Sequence, residues 1–367
     1  MFRFNSIDVG DERILTLQAP SYPNTNQPSF LSAQVLPDRG MMTLQIRARF
    51  PFLGEIDLLA PSLQEARKIL EQDSEGFPGN ASYLVGGAIL LPYANRIRGS
   101  VSADGRSLRT SVLGRAVHLP ANASGKRPGA ERFAMHGLIL AERIDKIHRE
   151  TTGERDTLRA FLHAGDFGGC WVSNTEVEIE NTLTPESFTV TITARNVGEE
   201  LLPIGIGWHP YFTLPSGRRE QARLYLSARR RVLVNNYDEV LPTGELVPVA
   251  GTEFDFSIPG GRPLNDLYLD DCFVDLTRSP AGHAVAEIVD PAAYYGLRVF
   301  SASAQVRAFQ VYAPPKEGFV VIEPQFNWAD PFGPQWDSRT DTGMAVLTPG
   351  EAVVYSASVE LFMPQGC

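Results

Sequence analysis

The amino-acid sequence predicts an all-β protein, a large antiparallel β-sandwich forming one domain over residues 1–367. Short segments rich in β-branched and aromatic residues recur along the chain, and such residues favour strands. The 32 glycines and 27 prolines are spread evenly between these segments, as turns between many short strands require. One segment alone has convincing helical spacing. Together these features favour two packed antiparallel sheets.

Individual strands follow from composition and alternation. In Ser187–Asn196 apolar residues alternate with polar ones, at the period of two that a half-buried strand requires. Val353–Leu361 is strand-like through its Val and Tyr content, although it has apolar residues on both faces. Further short segments with this composition are predicted as strands: Met42–Phe50, Arg231–Asn235, Leu297–Phe300, Ala308–Tyr312 and Phe319–Ile322.

The single helix is predicted from its first turn. Ser62–Glu65 has the sequence of a capping box, in which Ser62 and Glu65 each bond the other's backbone N–H. Apolar residues then recur at helical spacing as far as Leu70, and Gly76 and Pro78 prevent anything longer. The polar, glycine-bearing segment 121–131 is predicted to be a loop.

Charge and hydropathy exclude several function classes. The formal net charge of −10 argues against a general nucleic-acid binder, which needs a basic face. The longest apolar stretch, near Val85–Leu91, is far shorter than a membrane span requires. The first residues contain no apolar core of the length that a signal peptide needs. Three scattered cysteines, Cys170, Cys272 and Cys367, fit neither a disulfide framework nor a zinc site. We therefore expect a cytoplasmic protein that works without nucleic acid or membrane, as a monomer or homodimer.

Common cofactor and metal motifs are missing from the sequence. It has no glycine-rich phosphate-binding motif and no G-x-S-x-G elbow. The six histidines form no H-x₃-H pair, and none is at ligand spacing from a cysteine. We therefore expect no metal and no cofactor.

The candidate chemistry lies in polar residues within apolar or glycine-rich surroundings. Five segments have this character: Leu91–Ile97, Met135–Gly137, Gly205–Phe212, Leu269–Phe273 and Val320–Gln325. In the last of them, Glu323 is predicted to end a buried strand, with Pro324 directing the chain away. Each polar residue taken singly also has a purely structural interpretation, as a buried hydrogen-bonded histidine or a surface charge.

Taken together, these side chains predict proton transfer on a carbohydrate. His209 and Glu323 can form an acid/base pair, because burial and neighbouring groups can move their pKa values towards neutrality. Arginine, a second histidine and aspartate are suited to hydrogen-bonding the hydroxyl groups of a polar substrate. Aromatic residues near them could stack on a sugar ring: Trp208, Tyr211, Phe212 and Trp328. Composition and spacing leave isomerase, hydrolase and sugar-binding module open.

The same segments, in this order, resemble the aldose 1-epimerase (mutarotase) family over about Leu36 to Leu361. The shared elements are Asn95–Ile97, His136-Gly137, His209–Phe212, Leu269–Phe273, Glu323–Gln325 and the terminal turn Leu347–Glu351. Each element is weak alone, and their common order makes the resemblance specific. It implies the galactose mutarotase-like antiparallel supersandwich, in agreement with the predicted strands.

The resemblance also implies roles for residues of this chain. Glu323 is similar to the base that takes the proton of the C1 hydroxyl, and His209 to the acid that protonates the ring oxygen. A protonated His209 is needed at the start, and the neighbouring carboxylate is expected to raise its pKa. The resemblance assigns substrate binding to a further set of residues: Asn95, Arg96, His136 and Asp270, with Asp271 as the substitute if the register is shifted by one.

Some features of the sequence depart from the family's branches. The galactose branch has a second glycine after His-Gly, where this chain has Leu138, and the hexose-phosphate branch continues differently again. The predicted activity is therefore an aldose 1-epimerase of unspecified sugar. The alternatives are a hexose-6-phosphate 1-epimerase and a non-catalytic carbohydrate-binding or regulatory protein. A glycoside hydrolase is disfavoured, because hydrolysis usually employs two carboxylates.

Overall fold

A computed structural model describes residues 13–20, 26–73 and 76–364. Their strands are, in chain order, β1 Leu15–Gln18, β2 Ser29–Leu36, β3 Met42–Phe50, β4 Gly54–Asp57, β5 Gly87–Leu90, β6 Arg96–Ile97, β7 Ser100–Val101, β8 Ser107–Val112, β9 Arg115–Pro120, β10 Ala123–Ser124, β11 Arg132–Met135, β12 Lys146–Thr151, β13 Asp156–Gly165 and β14 Thr175–Leu183. They continue with β15 Ser187–Asn196, β16 Leu202–Ile204, β17 Gly207–Thr213, β18 Arg223–Leu226, β19 Ala228–Val234, β20 Pro242–Pro248, β21 Arg262–Pro263, β22 Leu269–Leu276, β23 Ala284–Asp290, β24 Tyr295–Ser301, β25 Ala308–Ala313, β26 Phe319–Gln325, β27 Ala345–Leu347 and β28 Ala352–Phe362. The α-helix of the described chain is α1, Leu63–Glu71, and the 3₁₀ turns are Pro37–Arg39, Asn80–Leu84, Arg219–Gln221 and Pro291–Ala293.

Two large antiparallel sheets dominate the molecule. The first sheet has the strand order β1-β2-β3-β5-β17-β26-β25-β22-β19-β20, with β4 paired to β3. The second has the order β12-β13-β14-β15-β28-β24-β23-β18-β21. Three small sheets complete the fold: β10-β11-β6, β16-β27 and β7-β8-β9. The prediction of an antiparallel β-sandwich is confirmed.

The two large sheets pack against each other through apolar side chains. Trp208 of the first sheet lies 6.0 Å, centroid to centroid, from Phe188 of the second. Phe326, which follows β26, lies 5.6 Å from Tyr355 in the same way. The Tyr355 hydroxyl donates to the Pro324 carbonyl oxygen at 2.8 Å, so its polar end is satisfied within the core. This packing leaves the opposite face of the first sheet free to carry a site.

The strongest sequence signals correspond closely to strands in the structure. Ser187–Asn196 and Met42–Phe50 match β15 and β3 residue for residue. Val353–Leu361 lies within β28 and contributes apolar residues to the core. Leu297–Phe300 lies within β24, and Ala308–Tyr312 forms all but the last residue of β25.

The predicted helix start is confirmed in detail. The Ser62 side chain accepts from the Glu65 N–H, and a Glu65 carboxylate oxygen accepts from the Ser62 N–H at 3.3 Å. Ala66 and Leu70 are the helical residues that become buried, as their spacing predicts.

Three predicted boundaries differ from the structure. The strand over Arg231–Asn235 is β19, which ends at Val234 because Asn235 begins the turn to β20. The segment 121–131 is a loop except for the two-residue strand β10, which pairs with β11. Glu323 does not end its strand, since β26 continues through Pro324 to Gln325. Pro324 keeps its pair Phe309 in β25, and it is accommodated because the ladder to β17 on the other side has, among the described residues, no pair between Gly207–Gln325 and Tyr211–Val321.

Other sequence expectations concern cysteines and membranes. Cys170 and Cys272 are free thiols, whereas Cys367 lies outside the described residues, as do the first twelve residues. Among the described helices, none is both long and apolar enough to cross a membrane.

Candidate active site

Two central strands of the first sheet place His209 and Glu323 side by side. Along β17 the side chains alternate, so Trp208 enters the core between the sheets and His209 faces the opposite side. Glu323 on the adjacent β26 faces the same way, and its Oε1 lies 3.2 Å from His209 Nε2. His209 is 5% exposed and Glu323 1%. The structure thus brings together the predicted acid/base pair in a nearly dry environment.

The next strands extend this face with polar groups. Gln310 of β25 pairs with Glu323, and Asp270 of β22 pairs with Tyr312 of β25. The Gln310 amide donates to Asp270 Oδ1 at 2.6 Å. Directly paired residues of an antiparallel ladder share a face, so these side chains line one surface with the acid/base pair.

Arg96, the first residue of β6, joins this surface directly after the turn that follows β5. Its Nη2 lies 3.4 Å from Asp270 Oδ2, and its Nη1 donates to Asn95 Oδ1 at 3.1 Å. The Asn95 amide in turn donates to Gln310 Oε1 at 2.9 Å. A closed network therefore fixes the position of the guanidinium.

His136 enters from β11 through a second turn, which is bonded to the first. The His136 N–H donates to the Asn95 carbonyl oxygen at 2.9 Å, and both residues have a left-handed backbone with φ of 63°. The His136 and His209 rings meet edge to face, 4.9 Å apart. Gly137 then passes so close to Leu91 that a Cβ would lie 2.4 Å from the Leu91 oxygen. Glycine is required there by both its φ of 84° and this close approach.

The register decides between the two adjacent aspartates. Asp270 lies on the His209 face, whereas Asp271 points to the other face of the sheet. There Asp271 accepts from Arg231 Nη1 at 2.6 Å and from the Tyr237 hydroxyl at 3.0 Å. Asp270 is therefore the aspartate positioned to meet a ligand, and Asp271 is occupied by structural contacts.

These groups line a cavity of about 530 Å³. Arg96, His136, His209, Asp270 and Glu323 all contribute to its wall. Its volume falls within the range of small-molecule sites. The lining residues that the sequence analysis did not single out include Gln310 and a set of tyrosines: Tyr83, Tyr237, Tyr268 and Tyr312. Their isolated sequence contexts contain no motif, so only the folded structure reveals them.

The sequence interpretation is wrong for three of the four aromatic residues. Trp208 and Phe212 do not face a ligand, because alternation along β17 buries both of them in the core. Trp328 packs instead against Cys272 and Val232. Of the four aromatic residues proposed to stack on a sugar, only Tyr211 lines the cavity. Asn95 does not line the cavity itself, but it is hydrogen-bonded to Gln310 and Arg96, which do.

Burial controls the protonation of the catalytic candidates. Desolvation, followed by the Asp270 charge, raises the pKa of Glu323 well above its ordinary value. Desolvation is also the main cause that lowers the pKa of His209 to about 4, and the Arg96 charge adds to it. The expectation that Glu323 raises the pKa of His209 is therefore wrong, because the cost of burying the imidazolium outweighs the attraction. Desolvation likewise lowers the pKa of His136 well below its ordinary value.

Burial therefore favours a neutral pair that shares one proton. A charged carboxylate and a charged imidazolium are each disfavoured by burial, so the neutral form with the proton on Glu323 is the resting state. Glu323 Oε2 has no hydrogen-bond partner among the described residues, so this oxygen is available to a ligand.

The cluster also contains metal-ligand types, which the sequence spacing did not predict. His136, His209 and Glu323 each offer a ligand atom, and these atoms lie within 4.8 Å of one another. Two histidines and a carboxylate suit a divalent transition metal. However, His209 Nε2 and Glu323 Oε1 already contact each other at 3.2 Å, so a metal bound there would replace the proton between them.

Comparison with known proteins identifies the family. The family model described as "Aldose 1-epimerase" matches residues 57–358. The chain belongs to the aldose 1-epimerase family. The solved structure of a galactose mutarotase-like protein from Clostridium acetobutylicum has the same fold as this family member, with a TM-score of 0.72 and 15% identity over 98% of this chain and 97% of that one.

Curated relatives of this family member match over shorter lengths. A maltose epimerase from Levilactobacillus brevis is 28% identical over 212 residues, 56% of either protein. The Escherichia coli protein YphB, described as uncharacterized, is 39% identical over 83 residues, which is 22% of this chain and 26% of YphB. The chain thus covers from about a quarter to just over half of these relatives' lengths.

Proposed function

We propose that this protein is an aldose 1-epimerase that interconverts the α and β anomers of a sugar. The observation that carries the proposal is the buried contact of 3.2 Å between His209 Nε2 and Glu323 Oε1 in the wall of a polar cavity. One carboxyl and one imidazole can exchange acid and base roles, which a near-symmetric isomerisation requires.

The reaction opens and closes the sugar ring without net oxidation or loss of atoms. Glu323 takes the proton of the C1 hydroxyl, and the electron pair of that O–H bond forms the second bond of the C1 aldehyde. The bond between C1 and the ring oxygen breaks, its electron pair stays on that oxygen, and His209 protonates it. Rotation about C1–C2 exposes the other face of the aldehyde, and the reverse transfers close the ring as the other anomer.

The resting protonation state is compatible with this sequence. Before the reaction the shared proton moves from Glu323 to His209 across the 3.2 Å contact between Oε1 and Nε2. A sugar hydroxyl that donates to Glu323 stabilises its carboxylate, which favours that shift. The pair regains its original single proton at the end of the cycle.

The remaining cavity residues hold and orient the sugar in this proposal. Asp270 accepts from sugar hydroxyls, while Arg96 and His136 donate near C1 and the ring oxygen. Asn95 is a positioning residue, which acts through Arg96 and Gln310. Rigid placement on a sheet converts slow solvent transfers into pre-aligned ones.

We also propose the setting in which the protein works. Residues 1–367 form one domain, supported by a hydrophobic cluster that includes residues of both large sheets. The protein acts in the cytoplasm, as a monomer or homodimer, and needs no cofactor, nucleic acid or membrane. The acidic net charge and the free thiols Cys170 and Cys272 support this setting.

A hexose-6-phosphate 1-epimerase is the second candidate. Lys126 and Arg132 line the cavity besides Arg96, so a phosphate would find cations there. Arg98 is not available for that task, because it is bonded through two nitrogens to Glu131, at 2.9 and 2.7 Å. The non-catalytic alternative gives no reason for the buried acid/base pair, since sugar binding alone does not require it.

The proposal is tested by NMR magnetisation exchange between α and β anomers. Wild type and Glu323→Gln are compared on glucose, galactose, arabinose, xylose and glucose 6-phosphate, and the wild type is measured before and after treatment with EDTA. We expect the wild type to accelerate exchange of at least one sugar and the variant to lose this acceleration. Exchange that survives in Glu323→Gln, or that EDTA abolishes in the wild type, would contradict metal-free acid/base catalysis. Binding without exchange would favour the carbohydrate-binding alternative.

A further inference from the structure

The outer half of the cavity contains aromatic rings that the acid/base pair does not use. Tyr211 lies next to His209, and from it a series of ring contacts leads outward through Phe319 to the remaining tyrosines. The successive centroid distances are 5.0 Å for Tyr211–Phe319, 6.1 Å for Phe319–Tyr312, 6.3 Å for Tyr312–Tyr268 and 5.0 Å for Tyr268–Tyr237. The four tyrosines of this series all line the cavity.

The sheet register shows how far these rings lie from the reacting atoms. Glu323 and Gln310 are paired at one level of the sheet, and Asp270 and Tyr312 are paired two residues further along. Tyr268 precedes Asp270 by two residues again. At about 3.3 Å per residue, Tyr268 lies about 7 Å beyond Asp270 and about 13 Å beyond the Glu323 level. One sugar ring occupies the first interval, so the outer tyrosines are beyond its reach.

Tyr237 is held at the mouth of the cavity although much of its ring faces solvent. It is 40% exposed, and its hydroxyl donates to Asp271 at 3.0 Å. Tyr268 supports it from the side, with its ring edge to face. An exposed but positioned ring at a cavity mouth offers a flat apolar surface at low entropic cost.

A polar wall faces these rings. Asp238 accepts from the Lys126 N–H at 2.8 Å and from the Arg127 N–H at 3.1 Å, which ties the loop after β10 to the turn that carries Tyr237. Lys126 and Asp238 both line the cavity. A stacking surface beside hydrogen-bonding groups is the combination that a sugar ring requires, since its faces are apolar and its rim is hydroxylated.

We propose that this outer half is a second sugar subsite, and that the substrate is the reducing end of a disaccharide or longer oligosaccharide. The inference rests on the proposed epimerase function. The reducing unit places C1 against His209 and Glu323, and the next unit, linked through C4 across the ring from C1, stacks on Tyr237 and Tyr268.

The test compares maltose and cellobiose with glucose by NMR magnetisation exchange. We expect the wild type to have a kcat/KM at least tenfold higher for one of the disaccharides. Tyr237→Ala and Tyr268→Ala should each lower the ratio of disaccharide to glucose kcat/KM by about tenfold, because stacking area is lost. Tyr237→Phe keeps the ring but loses the hydroxyl bond to Asp271, so it should lower the ratio less than Tyr237→Ala does. Tyr294→Ala, at an exposed tyrosine that does not line the cavity, is the matched control and should change nothing.

The outcomes separate this inference from the proposed function. Exchange of glucose with no preference for either disaccharide, or a ratio that Tyr237→Ala leaves unchanged, would overturn the second subsite and retain the epimerase. A preference for glucose 6-phosphate would overturn it in favour of a phosphate site. If no sugar shows exchange, binding is measured by calorimetry instead. Disaccharide binding that is at least tenfold tighter than glucose binding, and that Tyr237→Ala weakens, would support the subsite without the catalytic function. Equal affinities for disaccharide and glucose would overturn the subsite.

Discussion

His209 Nε2 lies 3.2 Å from Glu323 Oε1 where the backbone pairing of their two strands is interrupted. The ladder between β17 and β26 pairs Gly207 with Gln325 and next pairs Tyr211 with Val321, and these described strands have no pair between those positions. Pro210 and Pro324 lie in the interval, and a proline has no N–H to donate. The contact between the His209 and Glu323 side chains therefore links β17 and β26 at a position where the two described strands have no backbone pair.

Glu323→Gln should raise stability while it removes activity. Burial raises the pKa of Glu323. A carboxyl with a raised folded-state pKa contributes stability at low pH and loses it as the pH rises through that pKa. Thermal unfolding at mildly alkaline pH should therefore occur at a higher temperature in Glu323→Gln than in the wild type, with a smaller difference in acid. Catalysed exchange should fall by about 10²–10⁴-fold.

The control for that comparison is Glu317→Gln, because Glu317 is exposed and lies outside the cavity. It should leave both the unfolding temperature and the rate close to wild type. A lower unfolding temperature for Glu323→Gln at alkaline pH would show that Glu323 is charged in the resting protein.

The pH dependence of kcat/KM should be bell-shaped around the single shared proton. The pKa of His209 is about 4, so a second proton inactivates the pair only below that pH. On the alkaline side activity should fall as the pair loses its proton from Glu323, whose pKa is raised. The profile is measured by polarimetry, with circular dichroism to verify that the fold persists in acid.

His209→Asn complements this profile. It should lower kcat by about 10²–10⁴-fold, and the pH profile of the remaining activity should no longer show the decrease in acid. His163→Asn is the control, since His163 is exposed and pairs with Glu176 outside the cavity. An acid limb near the ordinary histidine pKa of 6.5 would contradict the dominance of burial.

Asp270→Asn and Asp271→Asn should differ in their main effect. Asp270 faces the cavity, so Asp270→Asn should raise KM about tenfold or more. Its contact with Arg96 is longer, 3.4 Å, so its loss of stability should be smaller than that of Asp271→Asn. Asp271 is fully buried beside Arg231, so Asp271→Asn should cost about 3 kcal/mol or more of stability, because it leaves a partly buried guanidinium without its charge partner. Denaturant unfolding and steady-state kinetics on both variants check this. A loss of affinity with Asp271→Asn alone would mean that the register has been misassigned.

Arg96→Ala should lower kcat and affinity together. Its guanidinium faces the cavity and is also the partner of Asn95 and Asp270, so its removal disturbs both ligand contacts and positioning. We expect a reduction of kcat/KM of about 10²-fold or more. Arg98→Ala, which removes an arginine bound to Glu131, should leave the kinetics unchanged. Unaltered kinetics in Arg96→Ala would exclude Arg96 from the site.

Gly137→Ala should destabilise the protein and displace His136. The added Cβ would lie 2.4 Å from the Leu91 oxygen at a φ of 84°. We expect a loss of about 1–3 kcal/mol and a lower kcat/KM. Gly282 has the same φ of 84° with open space around it, so Gly282→Ala isolates the conformational cost from the steric one. Equal losses in the two variants would show that the close approach is unimportant.

Local patterns in the sequence predicted the fold class and several element boundaries. The alternation in Ser187–Asn196 and the capping box at Ser62 depend on neighbours within a few residues, and both appear as predicted. The strand end at Glu323 was misplaced because a proline usually interrupts pairing, whereas here Pro324 keeps its partner Phe309.

The order of short motifs singled out the residues of the candidate site, and the fold brings them together from distant parts of the chain. Asn95 and Gln310 are separated by 215 positions and are hydrogen-bonded. Tertiary structure alone decided which neighbour faces the cavity: Asp270 rather than Asp271, and Tyr211 rather than Trp208. A shift of one residue in register reverses every side chain of a strand, and register is set by pairing across the sheet.

The sequence by itself determined a β-sandwich and the residue types for acid/base chemistry on a sugar. The tertiary structure decided their protonation and the shape of the cavity. Burial lowers the pKa of His209 and raises that of Glu323, opposite to what a solvated ion pair would do. Periodicity and composition determine secondary structure through neighbours within a few residues. The desolvation that shifts the two pKa values, and the placement of the tyrosines in the cavity wall, depend on parts of the chain that meet only in the folded protein.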